Sequence, residues 1–360
     1  MILEENKKAY LVLEDGSIFE GLAFGGGDFV EGEVVFNTGI TGYQEVLTDP
    51  SYSGQIVVMT YPQIGNYGYI EADNESSKVQ VRGFVVKEHC DYPNNYRSQG
   101  KLTDYLKANN ILGIQGIDTR AITKKIRNRG TMRGLITLNK LPDDKLIALA
   151  KNIEDISNID FVLKATTEKE YTIEGSGKHI ALVDFGIKTN IIKHLKSRGH
   201  KITVMRADST AHDVLSRDFD LVLLSNGPGD PKKATYAIDL VKGLIGKIPV
   251  TGICLGHQII ALAMGLDTFK LKFGHRGGNH PVKNLLKDKV TITTQNHGYA
   301  VINENIPKEI EVTHLNLNDF TIQGIRCESK KVYCVQFHPE AGPGPEDSSY
   351  IFDDFIALAK

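Results

Sequence analysis

Pro249-Val250-Thr251-Gly252-Ile253-Cys254-Leu255-Gly256-His257-Gln258 decides the reading of this chain. The first five residues have the character of a short buried strand. From Leu255 to Leu266, apolar residues at Ile259, Leu262, Ala263 and Leu266 follow the spacing of a helix. Cys254 therefore stands on a tight strand-to-helix turn, with Gly252 before it and Gly256 after it. Such an elbow lifts a side chain clear of its sheet. The helix that follows aims free N–H groups and its positive end at the sulfur, which favours thiolate. A lone cysteine is more often a small buried hydrophobe. The elbow, together with a distant histidine, argues for a nucleophile.

That histidine lies in His338-Pro339-Glu340. In an extended segment, residues two apart share a face, so Glu340 can hold the His338 ring in one tautomer. Cys254, His338 and Glu340 form a candidate catalytic triad. A thiolate attacking an acyl carbon needs donors for the oxyanion that forms. The N–H of Leu255 is one source. The Gly227-Pro228-Gly229 turn is another, because glycine permits close backbone approach. Gln258 lies about one helical turn after Cys254 and can face the same pocket. Asn296-His297-Gly298-Tyr299 follows a strand and offers amide and backbone groups. Both suit a polar, zwitterionic substrate. His275 and His280 sit in a glycine-rich stretch read as a loop, with no third ligand at a familiar spacing, so no metal is expected in this chain.

Working outward from the elbow, strand and helix patterns alternate. Strands are predicted over 179–184, 201–205 and 220–224, with helices over 189–197, 211–216 and 234–244. This rhythm predicts an α/β domain with an open, mostly parallel sheet flanked by helices. Sites in such sheets lie at the carboxyl ends of strands, where Cys254 and the Asn226–Asp230 turn both fall. After Leu266 the pattern is richer in strands: 269–273, 290–294, 321–326 and 331–337. The first part of the chain reads as a separate mixed α/β domain. Asp15-Gly16 marks a hairpin, further strands fall near 32–36, 55–60, 79–86 and 133–138, and Asp118 caps a helix that Gly130 stops. The polar stretch 164–178 reads as a linker. The expected domains are 1–163 and 179–360.

The chain has 360 residues, room for two cores. Its net charge of −2 and lack of a basic block give no case for nucleic acid or an anionic membrane. The cysteines, Cys90, Cys254, Cys327 and Cys334, are scattered, which suits a reducing cytoplasm and argues against a disulfide framework. The first eight residues lack the apolar core of a signal peptide, and no apolar run approaches a membrane span. There is no G-x-x-x-x-G-K-[ST] loop. If the complete reaction uses ATP, another chain is expected to bind it.

Together, the Cys254 elbow and His338-Pro339-Glu340 resemble the class I (triad) glutamine amidotransferases. Thr41-Gly42-Tyr43-Gln44-Glu45-Val46-Leu47-Thr48-Asp49-Pro50-Ser51-Tyr52-Ser53, Thr60-Tyr61-Pro62, Phe273–Pro281 and Gln295-Asn296-His297-Gly298 narrow the likeness. These blocks resemble the small subunits of carbamoyl-phosphate synthetases, essentially end to end. The resemblance implies hydrolysis of L-glutamine to glutamate and ammonia through a thioester on Cys254. It implies oxyanion donors at Leu255 and Gly229. It places glutamine on Ser51, Gly227, Gly229, Leu255, Gln258, Asn296, Gly298 and Tyr299. It further implies no cofactor in this chain, and a larger partner subunit holding ATP and divalent metal. That subunit would receive ammonia through a tunnel and make carbamoyl phosphate for arginine and pyrimidine synthesis. The competing readings are a glutaminase serving an anthranilate, GMP or CTP synthetase, a non-catalytic regulatory subunit, and a thiol peptidase. The N-terminal block speaks against the first, and the complete triad against the second.

Overall fold

The computed structural model describes residues 7–359. Residues 1–6, part of the segment read above as lacking a signal-like core, lie outside the described residues. The chain divides into two compact units, Met1–Asn158 and Ile159–Lys360.

The first unit is built on a closed barrel. Its strands are β1 (Lys8–Leu13), β2 (Ile18–Gly25), β3 (Phe29–Asn37), β4 (Gln55–Met59), β6 (Gly83–Val85), β8 (Leu112–Gln115) and β9 (Met132–Thr137). Between them fall two short strands, β5 (Gln63–Ile64) and β7 (Glu88–His89), which pair only with each other. Around the barrel the order is β1-β2-β8-β6-β4-β3-β9. The β1–β2 hairpin turns at Asp15-Gly16 as expected, with Leu13 N–H donating to Ser17 O at 2.9 Å. Asp118 caps the helix Thr119–Arg129 by accepting the Ala121 N–H, and Gly130 ends it. The barrel itself was not foreseen: it needs β9 to pair with both β1 and β3, contacts far apart in sequence.

The second unit holds a ten-stranded sheet. Its strands are β10 (Tyr171–Ile173), β11 (His179–Asp184), β12 (Lys201–Arg206), β13 (Leu221–Leu224), β14 (Val250–Ile253), β15 (Thr268–Asn284), β16 (Lys289–Val301), β17 (Glu311–Asn316), β18 (Ile322–Cys327) and β19 (Val332–Val335). They lie in the order β10-β12-β11-β13-β14-β19-β18-β17-β15-β16. The five strands from β12 to β19 run parallel, and antiparallel strands extend the sheet on both sides. Successive side chains of the parallel strands enter opposite cores, as the pleat requires. Ala181, Val183, Val222 and Leu224 pack with the helices Thr235–Leu244 and Leu255–Ala263. Ile180, Leu182, Leu221 and Leu223 pack with the helices Thr189–Ser197 and Tyr350–Ile356. With both faces covered, the parallel strands read as continuous apolar runs.

Two expectations need correction. The segment 164–178 is not free of the second unit: β10 adds an antiparallel edge strand beside β12. Thr167 is tied in as well, its N–H donating to the Asp184 carboxylate at 2.7 Å and its carbonyl accepting from Arg206. The stretch holding His275 and His280 is not a loop but part of β15. Register shifts on either side of His275–Gly277 let the glycines sit within a bulged ladder.

Candidate active site

Cys254 ends β14 and precedes the helix Leu255–Ala263, with φ 54° and ψ −103°. A non-glycine residue in that conformation is strained, and the surroundings must hold it there. Its N–H donates to Val335 O at 2.9 Å, and its carbonyl accepts from Gln258 N–H at 3.2 Å. The flanking glycines have steric causes. A Cβ on Gly256 would lie 2.4 Å from Leu224 O, and one on Gly252 would lie 2.7 Å from the Gly256 carbonyl carbon. The G-x-C-x-G spacing is what lets the helix start hard against β13 and β14.

His338 follows β19 and is joined to β16, its N–H donating to Thr294 O at 2.9 Å. Its Nδ1 lies 2.5 Å from Glu340 Oε1, and both residues are buried. Its Nε2 is buried without a hydrogen-bond partner. Burial opposes the charged ring, but Glu340 and then the Cys254 sulfur outweigh it and push the His338 pKa up to about 10. Burial also opposes the Glu340 carboxylate, yet Lys188 and His338 bring its pKa down to about 2. The geometry is that of a charged imidazole clamped by a carboxylate, with its free nitrogen turned toward a thiol.

Lys188 escaped the sequence reading. Its side chain is 2% exposed, its Nζ lies 3.2 Å from Glu340 Oε1, and it donates to Ala341 O at 2.5 Å. The loop carrying it leaves the carboxyl end of β11. There Asp184 accepts the N–H groups of Gly186 and Ile187, each at 2.9 Å, and Asn226 Oδ1 accepts the Lys188 N–H at 3.1 Å. A lysine four residues beyond a buried parallel strand, at the end where sites form, was the available signal.

Of the remaining candidates, Asn296 reaches the sulfur. Asn296 O lies 3.7 Å from Cys254 Sγ and accepts its S–H. Gln258 Nε2 donates to Tyr299 O at 2.8 Å and to Gln336 Oε1 at 3.0 Å. A Cβ on Gly227 would lie 2.9 Å from Leu255 Cδ2 and 2.4 Å from Phe185 O, so this turn packs against the first helical residue. Gly229, on the same turn, has φ +92°. Gly298 lies in β16 between Asn296 and Tyr299. Ser51 belongs to the first unit, in the short turn Pro50–Tyr52, where its N–H donates to Asp49 Oδ1 at 2.9 Å. The His275 and His280 rings meet at 5.3 Å, tilted by 39°. Among the described residues, no group of three or more His, Cys, Asp or Glu is placed to hold a metal ion. Among them, too, no helix is long and apolar enough to cross a membrane.

Comparison with known proteins divides the chain as its architecture does. Residues 11–136 match the family described as carbamoyl-phosphate synthase small chain, CPSase domain. Residues 181–358 match the class-I glutamine amidotransferase family. The carbamoyl phosphate synthase small chain of Clostridium perfringens is 53% identical over 352 residues, covering 98% of this chain and 99% of that one. Its counterpart in Caldanaerobacter subterraneus is 54% identical over 352 residues, covering 98% and 96%. That of Chlorobaculum tepidum is 50% identical over 357 residues, covering 97% of each.

Proposed function

This chain belongs to the carbamoyl phosphate synthase small-chain family, as a glutamine amidotransferase subunit, and from that premise we propose a residue-level mechanism. Cys254 attacks the side-chain amide carbon of L-glutamine. Cys254 reacts as the thiolate of a thiolate–imidazolium pair, and the charged His338 gives its Nε2 proton to the leaving ammonia, while Glu340 holds Nδ1. The bond from carbon to nitrogen breaks, and a glutamyl thioester remains on Cys254. Water, deprotonated by the same Nε2, attacks the thioester and releases glutamate and the thiolate. The N–H groups of Leu255 and Gly229 receive the oxyanion of each tetrahedral intermediate. Glutamine is held by Ser51, Gly227, Gly229, Leu255, Gln258, Asn296, Gly298 and Tyr299.

One observation carries the reading: His338 is fixed by Glu340 through Nδ1 while Nε2, buried and unbonded, is influenced by the Cys254 sulfur.

The partner is a large chain that binds ATP and divalent metal. It accepts the ammonia without release to solvent and joins it to bicarbonate at the expense of two ATP, supplying carbamoyl phosphate for arginine and pyrimidine synthesis in the cytoplasm. This chain needs no cofactor of its own. Replacing Cys254 by alanine in the assembled enzyme tests the division of labour: glutamine-dependent synthesis should vanish while synthesis from free ammonia persists. Loss of both in a folded complex would count against it.

A further inference from the structure

A hydrogen-bonded chain of side chains runs from the substrate segment to an exposed turn. Tyr299 O accepts from Gln258 Nε2 at 2.8 Å and meets His297 Nδ1 at 2.7 Å. His297 Nε2 lies 2.9 Å from Gln295 Oε1, and the same oxygen lies 3.1 Å from His275 Nδ1, while Gln295 Nε2 donates to Thr293 Oγ1 at 3.2 Å. His275 Nε2 lies 2.7 Å from Asp319 Oδ2. Gln295, His297 and His275 are buried, while Asp319 is 38% exposed on the turn between β17 and β18.

The chemistry of the two ends constrains the protons between them. The Tyr299 carbonyl and the Asp319 carboxylate can only accept. His297 must therefore donate from Nδ1, which leaves Nε2 of the neutral ring as an acceptor. His275 must donate from Nε2, which leaves its Nδ1 as an acceptor. Two hydrogens toward both rings come from Gln295 only with its side-chain amide turned end for end, NH2 in place of Oε1, which gives up its bond to Thr293 Oγ1. His297 is then satisfied as the neutral ring its burial demands. At the near end, Gln258 commits its amide hydrogens to Tyr299 O and Gln336 Oε1. Only its carbonyl oxygen is left for a ligand, an acceptor suited to the ammonium group of an amino acid.

We infer that Asp319 and His275 are positioning residues, acting through Gln295 and His297 on the Tyr299 carbonyl and thereby on which end of the Gln258 amide faces the substrate. The inference rests on the proposed reading that Gln258 and the Asn296–Tyr299 stretch hold glutamine. Neither His275 nor Asp319 touches substrate, so their loss should weaken recognition and spare the chemical step.

The test is glutamate release by the complex with its large chain, resolved into KM and kcat. His275→Ala and Asp319→Ala should each raise KM for glutamine about tenfold with kcat held within about twofold, the pattern of lost substrate binding. Asp319→Asn keeps an acceptor for His275 when its amide oxygen faces Nε2, and gives up the contacts that Oδ1 accepts from Thr321. It should bring KM back to within about threefold of the parent, a rescue that a purely electrostatic or purely structural role would not give. Unchanged KM in both alanine variants, with the parent complex active, overturns the inference alone. A parent complex that binds its partner yet releases no glutamate overturns the glutaminase reading and this inference with it.

Discussion

Lys188 and Glu340 form an ion pair sealed from solvent: Nζ lies 3.2 Å from Oε1, and the two side chains are 2% and 0% exposed. A buried pair gains little over well-packed apolar groups, but losing one partner strands the other charge. Lys188 therefore keeps Glu340 ionised, and Glu340 in turn keeps His338 charged and oriented. Lys188→Met should cost about 3–5 kcal/mol of stability. Adding Glu340→Gln should recover a large part of that loss, because the stranded carboxylate is gone. Denaturant unfolding of the single and double variants measures the coupling, and additive losses would refute it.

The elbow stores strain at Cys254, φ 54° and ψ −103°. Glycine adopts such a conformation at far less cost. Cys254→Gly and Cys254→Ala should both be inactive with glutamine, yet the glycine variant should be the more stable by about 1 kcal/mol. Equal midpoints in denaturant would mean the elbow is relaxed.

The glycines beside it should tolerate nothing larger. Gly256→Ala would press a methyl group to 2.4 Å from Leu224 O and 2.7 Å from Leu224 Cβ. The expected loss is about 2–3 kcal/mol or more, with glutaminase activity falling as the elbow shifts. A variant with the parent's melting temperature and activity would show that β13 can give way.

Acid should weaken the second unit through its neutral histidines. Burial, with smaller contributions, lowers His257 and His314 from 6.5 to about 3 each. A histidine held below its unfolded pKa contributes stability that is complete above 6.5 and is lost as pH falls toward the folded value. Each should add a slope approaching 1.4 kcal/mol per pH unit to the stability between about pH 6 and pH 4. Glu340 acts in a lower window, its contribution present above 4.5 and lost toward about 2. His338 is the opposite case: its contribution is present below 6.5 and is lost as pH rises through about 10. Replacing His314 by glutamine should flatten the acid slope between pH 6 and pH 4. An unchanged slope would place the acid sensitivity elsewhere.

Much of the site was legible because it is local. The elbow shows in ten consecutive residues, and His338-Pro339-Glu340 needs only the two-residue repeat of an extended chain. The parallel strands showed through their apolar runs between helical patterns. What stayed hidden depends on distant partners. Lys188 reads as one more surface charge until Glu340 is brought to it by β19. The β10 strand is three residues long within a polar stretch, and its pairing rests on backbone bonds to β12. Closure of the first barrel waits on β9 meeting β1 and β3. The chain from Asp319 to Tyr299 joins two strands and a turn, and no spacing within any one of them announces it.

The most direct measurement is glutamate release from L-glutamine by this chain, alone and with a carbamoyl phosphate synthase large chain supplied with ATP and bicarbonate. Strong stimulation by the partner, abolished by Cys254→Ala, is the predicted result. Release that the partner leaves unchanged would break the proposed coupling, and no release in either condition would contradict the assignment of Cys254, His338 and Glu340 as a working triad.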